Sequence, residues 1–132
     1  MAYASSLLRN PYDTYRQIDV VGRTAEADGP ALVQLLYEEL VSALRSAAFA
    51  MARGQVAVKS ERATRATAIL FALEAGLDHD KGGDVAVSLH RLYAGIRRQV
   101  IDASIGNDPA PLLNAASDLA EIAAAWKTAR AG

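Results

Sequence analysis

Apolar residues return every three or four positions in four long stretches of this chain, and glycine, proline or small polar residues interrupt the pattern between them. Such spacing keeps one side of an α-helix apolar along its length. In the first stretch Leu32, Leu36, Leu40, Leu44, Ala47 and Met51 make the stripe. Pro30 suits its opening turn because its φ is fixed and its missing N–H has no partner to lose there. Asp28 or Gly29 would cap it, and Gly54 would stop it. A second helix is expected from Ser60, an N-cap residue followed by Glu61 in the favourable first turn. Its stripe is Ala63, Ala66, Ile69, Leu70, Leu73 and Leu77, and Asp78-His79-Asp80-Lys81-Gly82-Gly83 interrupts it. A third runs from about Asp84 with Val85, Leu89, Leu92, Tyr93, Ile96, Val100 and Ile105 on one face. After Gly106-Asn107-Asp108-Pro109 comes a fourth, capped by Asp108 or starting as late as Pro111. It carries Leu112, Leu113, Ala116, Leu119, Ile122, Ala123 and Trp126.

The links between these stretches are short, which makes successive helices antiparallel neighbours. The pattern predicts an all-α, antiparallel up-down helical bundle of four long helices over residues 30–130. A short N-terminal helical arm, residues 1–29, precedes it. Within the arm Asn10-Pro11-Tyr12-Asp13 fits a small capped turn of helix, with Tyr12, Tyr15 and Ile18 sharing a face. Three of the chain's five tyrosines fall in the first fifteen residues.

Composition sharpens this picture. A length of 132 residues fits one domain, and 52% hydrophobic residues can fill a core. Only 6% are aromatic, and much of the apolar content is alanine, which favours closely packed helices over a β-sandwich. A net charge of −1 supplies no long-range field for nucleic acid. The chain has no cysteine, which removes disulfides, thiolate metal sites and thiol nucleophiles and suits a reducing cytosol. The N-terminus lacks the basic start and apolar core of a secretory signal, and no apolar run approaches the ~20 residues that span a bilayer. A soluble, cytoplasmic protein with no membrane insertion is expected.

Candidate chemistry is sparse. The two histidines, His79 and His90, lack the Glu-x-x-His spacing of di-iron bundles, and Asp78-His79-Asp80 is expected to be a solvated helix end. His90 lies mid-helix and off the main stripe, as in a histidine phosphotransfer domain, but the Lys-Gly pair that follows the phosphorylated histidine in such domains is missing. No Gly-x-Ser-x-Gly elbow is present. Gly82-Gly83 ahead of a helix is a weak anion-site hint, and Asp84 beside it would repel phosphate. No catalytic residue, metal or cofactor is expected, so the chain is read as a non-enzyme. What remains is surface: an alanine-rich bundle can accept a partner's amphipathic segment in a groove, or use the same alanines to pack against itself. A helical adaptor for some other protein client stays open beside the phosphotransfer reading.

Asn10-Pro11-Tyr12-x-x-Tyr15, Leu32-Val33-x-Leu35-Leu36-Tyr37, Leu77-Asp78 with Lys81-Gly82-Gly83-Asp84-x-Ala86, Leu89-x-x-Leu92-Tyr93, Arg98, Asn107-Asp108 and Ala125-Trp126 follow one another in this order. Together they resemble the FliS family of flagellin-specific export chaperones. The likeness spans Asn10 to Trp126. It implies a helical bundle that holds the C-terminal region of flagellin in the cytoplasm, prevents premature polymerisation and aids delivery to a component of the type III export gate. By the same resemblance Asn10, Pro11, Tyr12 and Tyr15, with Ile18 beside them, are the first candidates for client contact or for covering an empty groove. Tyr93 and Trp126 come next, and Leu36, Ile69, Leu73 and Leu77 are candidate groove walls. The family's Thr-Ala-Ser-Pro ahead of the first helix is replaced by Glu26-Ala27-Asp28-Gly29-Pro30, and its Tyr-Asp-Gly by Tyr37-Glu38-Glu39.

Overall fold

The computed structural model describes residues 29–131. Asn10, Pro11, Tyr12, Tyr15, Ile18 and the capping position Asp28 lie outside the described residues. Four helices and no strand occur among the described residues: α1 (Gly29–Ala52), α2 (Val56–Ala75), α3 (His79–Gly106) and α4 (Ala110–Ala131). Leu36–Gly132 forms one compact unit, and the packing below is that unit's. The expected all-α bundle is the observed architecture.

The turns explain where the helices stop and start. At the end of α1, Gly54 adopts φ +71, the left-handed conformation that costs glycine nothing. Gln55 N–H then donates to the Ala50 carbonyl at 2.8 Å and Gly54 N–H to the Met51 carbonyl at 3.2 Å, the paired bonds of a Schellman stop. The chain is thereby turned straight into α2, which begins at Val56 and not at Ser60. Gln55 at the cap makes no side-chain capping bond, and Ser60 lies inside the helix. A backbone closure at Gly54 therefore sets this start, and serine capping plays no part.

The second turn also departs from expectation. Asp78 caps α3, its Oδ1 accepting from Lys81 N–H at 3.0 Å. Asp78-His79-Asp80 is thus a helix beginning, and α3 opens with one turn before Gly83. There the backbone breaks to φ +52, ψ −125, a combination open to glycine and strained for any residue with a Cβ. Regular helix resumes at Asp84, as the glycine pair suggests. At the third turn it is Asn107, not Gly106, that becomes left-handed (φ +57), a role asparagine tolerates better than most. Asp108 then caps α4, its Oδ1 accepting from Ala110 N–H at 3.1 Å.

α1 is the most deeply embedded helix. Tyr37, Leu40, Val41, Leu44, Ala47, Ala48 and Met51 are buried, and so are Ala43 and Ala50 further round, so about half its circumference is covered. Each of the other helices buries a narrow stripe. In α2 it is Ala63, Ala66, Ile69, Leu70 and Leu73. In α3 the inward columns are Ala86–Tyr93–Val100 and Ile96–Ala103, each spaced by seven residues. In α4 they are Leu112–Leu119 with Ala115, Ala116 and Ala123.

Three expected stripe residues face outward: Val85 (66% exposed), Ile105 (81%) and Leu113 (47%). Small alanines displace the first two. Ala86 and Ala103 take the inward places that hydrophobicity alone assigns to Val85 and Ile105, since a methyl group lets two helices approach closely. Leu112 turns Leu113 about 100° away.

At the centre, Tyr37 of α1 and Tyr93 of α3 join hydroxyl to hydroxyl at 2.7 Å. Their rings meet edge to face, 6.2 Å between centroids, and the half-buried Trp126 of α4 packs against Tyr37 in the same way at 6.1 Å. Burial pushes the ionisation of both hydroxyls upward, with the Tyr93 hydrogen bond offsetting part of the rise at Tyr37. Three helices are pinned in register by this cluster.

Two predictions follow from the tyrosine pair. Tyr37→Phe leaves the Tyr93 hydroxyl buried without its partner and should cost about 1–3 kcal/mol. Adding Tyr93→Phe should recover part of that loss, a non-additivity that a denaturation cycle on the four proteins measures. Additivity of the two changes would mean the hydroxyls do not interact. Stability should also fall as pH rises above about 10, where unfolded tyrosine ionises while the buried pair keeps its protons. Both folded values are raised, so the pair's contribution is complete below that pH and is lost above it. The double phenylalanine variant should lose stability less steeply over that window.

Candidate functional site

Among the described residues no group of three or more histidine, aspartate or glutamate side chains is placed to hold a metal. No described helix is long and apolar enough to cross a membrane. His90 is exposed, with Nδ1 3.9 Å from Glu74 Oε1, and its ring stands edge-on to His79 at 6.1 Å. Two surfaces between helices carry exposed apolar side chains and are the candidate functional regions.

α2 separates two such surfaces. On one side its Glu74 receives Arg97 of α3 through two bonds, Nε to Oε2 at 3.0 Å and Nη2 to Oε1 at 3.1 Å. This paired geometry fixes the guanidinium plane, and the same guanidinium lies 4.3 Å above the ring of Phe71. At the opposite end Lys59 Nζ donates to the Ser104 carbonyl at 3.2 Å. The two ties hold α2 and α3 along their length. Beside them α3 carries a second apolar column. Val87 and Ile101 are separated by two heptads, with Ala94 between and Ile105 one turn beyond, so helical geometry puts them on one strip. Val87 is 40% and Ile101 48% exposed. α2 adds Val56 and Phe71, both exposed. Exposed apolar side chains thus lie along the flank of the α2–α3 pair on which Arg97 meets Glu74 and Phe71, and together they are called the apolar strip.

On its other side α2 meets α1, where Arg65 Nη2 donates to Glu39 Oε1 at 2.6 Å. Nearer the α1–α2 turn the two helices leave an open depression lined by Arg45, Ser46, Phe49, Gln55, Val58 and Arg62.

The described sequence candidates fall into two groups. Ile69 and Leu73 are buried on the inward stripe of α2, while Leu36 and Leu77 are partly exposed; Leu77, expected on the second helix, lies in the turn beyond its end at Ala75. Tyr93 is buried and Trp126 half-buried in the aromatic cluster with Tyr37. The groups are not brought together into one pocket. Sequence reasoning passed over Phe71, Val87 and Ile101 because it followed one stripe per helix. The seven-residue return Val87–Ala94–Ile101 was the available signal for a second stripe.

Comparison with known proteins bears on this geometry. The family model described as flagellar protein FliS matches residues 8–132. The chain is 33% identical over 114 residues to the flagellar secretion chaperone FliS of Salmonella typhimurium, covering 86% of this chain and 84% of that protein. It is 30% identical over 119 residues to the flagellar secretion chaperone FliS of Vibrio cholerae, covering 90% and 88%. Similarity to the flagellar secretion chaperone FliSB of Pseudomonas aeruginosa is 30% over 112 residues, covering 85% and 89%. With a family match that runs through all four helices, and relatives that span most of both chains, this protein belongs to the FliS family of flagellar proteins.

Proposed function

We propose that this chain is a cytosolic export chaperone that binds the C-terminal region of flagellin, prevents premature polymerisation and aids delivery to the flagellar type III export gate. The observation that carries this reading is the FliS match over residues 8–132, with relatives named as flagellar secretion chaperones. A chaperone's task is to cover a surface and later release it, so the chain acts as a binding protein and not as an enzyme. Nothing in the family match favours phosphotransfer at His90.

The uncovered strip on α2 and α3 supports the reading physically. A polymerisation-competent terminus is an amphipathic segment, and an apolar strip beside a helix pair takes such a segment by its i, i+3, i+4 and i+7 anchors. The strip removes from water the face through which subunits would otherwise associate. The client orders as it binds, so part of the contact energy is spent on ordering. Val56, Phe71, Val87, Ile101 and Ile105 supply exposed apolar surface, Leu36 and Leu77 add partly exposed edges, and Ile69, Leu73, Tyr93 and Trp126 shape the support beneath. The arm, residues 1–29, is proposed as a separate piece from the bundle of residues 30–130. Its Asn10, Pro11, Tyr12, Tyr15 and Ile18 touch the client or cover the strip when no client is bound.

A pull-down with cognate flagellin should recover a complex, and flagellin lacking its C-terminal segment should be lost from it. Ile101→Asp, which puts a charge into the strip without touching the core, should weaken capture of the intact client. Equal recovery of truncated flagellin would refute the C-terminal assignment. Removing residues 1–22 should leave a helical, cooperatively unfolding bundle by circular dichroism, whereas an aggregated or molten product would contradict the division into arm and bundle.

A further inference from the structure

The depression between α1 and α2 is chemically unlike the apolar strip. It is shallow and largely open to solvent, about 460 Å³ in volume, and is lined by Arg45, Ser46, Phe49, Gln55, Val58 and Arg62. Phe49 is 62% and Val58 41% exposed, so two apolar side chains stand in water between two arginines. Arg53 lies over the Phe49 ring with its guanidinium carbon 5.0 Å from the centroid, adding a third positive charge at the rim. Among the described residues the ion pairs leave Arg45 and Arg53 without a carboxylate. Arg62 meets Glu61 only at 3.9 Å, with both side chains about half exposed, and such a pair is worth little.

The charge here is local. Arg45, Arg53 and Arg62 stand around the depression in a chain whose net charge is −1, whereas Lys59 is turned to Ser104 of α3 and Arg65 is paired with Glu39. Free guanidinium groups around an exposed aromatic ring fit a ligand that brings carboxylates and one apolar side chain. Each arginine offers a planar fork to a carboxylate, and the ring and Val58 form a seat for the apolar group.

We propose that this depression is a second docking site that takes a short acidic peptide segment with one apolar anchor, supplied by a protein other than the flagellin tail. Arg45 and Arg62 receive the carboxylates from the two helices. Phe49 and Val58 hold the anchor, and Arg53 keeps the ring in place while steering the segment inward. Because α2 stands between this site and the apolar strip, the two are occupied independently. A chaperone so built holds its client on one flank and presents the other to a partner.

Fluorescence anisotropy with a labelled peptide, one phenylalanine between pairs of glutamates, tests this on the full chain. The peptide should bind saturably, weaken as salt is added, and compete with an unlabelled copy but not with the version carrying lysines for glutamates. Arg45→Gln with Arg62→Gln should weaken it about five- to tenfold, and Phe49→Ala should do so at unchanged charge. Both changes fall on accessible side chains, so the bundle's circular dichroism should not move. Flagellin capture by the Arg45→Gln, Arg62→Gln protein should equal that of the unaltered chain. Several outcomes would overturn the proposal: no saturable binding, unchanged affinity in the double variant, or loss of flagellin capture with it, which would assign the depression to the client. Preferential binding of anionic vesicles without peptide competition, or salt-sensitive self-association abolished by the same substitutions, would likewise replace the acidic peptide as occupant.

Discussion

The bundle is organised around the burial of α1. Half the circumference of that helix is withdrawn from water, and Leu40 and Leu44 within it are completely inaccessible. Full burial of a leucine is worth about 1.5–3 kcal/mol, so the embedded face of α1 carries a large share of the cohesion. The neighbouring helices meet this demand with narrow stripes. Alanines at 63, 66, 86, 103, 115, 116 and 123 let them approach closely, while the aromatic cluster of Tyr37, Tyr93 and Trp126 decides their register. A hydroxyl pair in an apolar interior tolerates little displacement, because each group left alone would be buried without a partner.

Surface for binding is a consequence of that arrangement. A helix that buries only a narrow stripe keeps both flanks, and in α2 and α3 those flanks carry Val56, Phe71, Val87 and Ile101. Exposed apolar residues gathered on one flank are the kind of surface through which proteins interact. The ties that hold α2 are polar and lie at its edges: Arg97 to Glu74 and Lys59 to Ser104 towards α3, Arg65 to Glu39 towards α1. They fix the spacing of the helices while leaving apolar side chains beside them uncovered. Family membership and this geometry point the same way, towards a protein whose work is to shelter another chain. The two flanks of α2 differ in character, apolar towards α3 and arginine-rich towards α1, so one helix separates two kinds of surface.

Much of the fold was written in the residues. The all-α class, the stop at Gly54, the backbone break at Gly83, the Asp108 cap and most of the stripes of α1 and α2 follow from helix periodicity and from conformations that only certain residues adopt freely. Three local features did not. Val56 begins α2 because a backbone closure at Gly54 feeds directly into it, although two valines in its first turn are poor helix formers. Asp78 starts a helix where a stop was expected, since a single capped turn before Gly83 is too short to leave a periodic signal. Asn107 took the left-handed position, a choice that the break at Gly106-Asn107-Asp108-Pro109 leaves open in the sequence. The candidate site was less legible: of its sequence candidates, Ile69, Leu73 and Tyr93 are buried within the chain, and Phe71, Val87 and Ile101, which stand outside, belonged to no predicted stripe.

By itself the sequence determined that the described chain is helical, where three of its turns fall and to which family it belongs, because turn chemistry, periodicity and ordered motifs are properties of neighbouring residues. Only the tertiary structure decided which side of each helix faces inward. That choice depends on whether a methyl group or a larger side chain lets a neighbour approach, as Ala86 and Ala103 do in place of Val85 and Ile105. It also brought together residues distant in the chain, the hydroxyls of Tyr37 and Tyr93 and the arginines of α1 and α2, since such pairings arise from packing between helices and leave no mark on either helix alone.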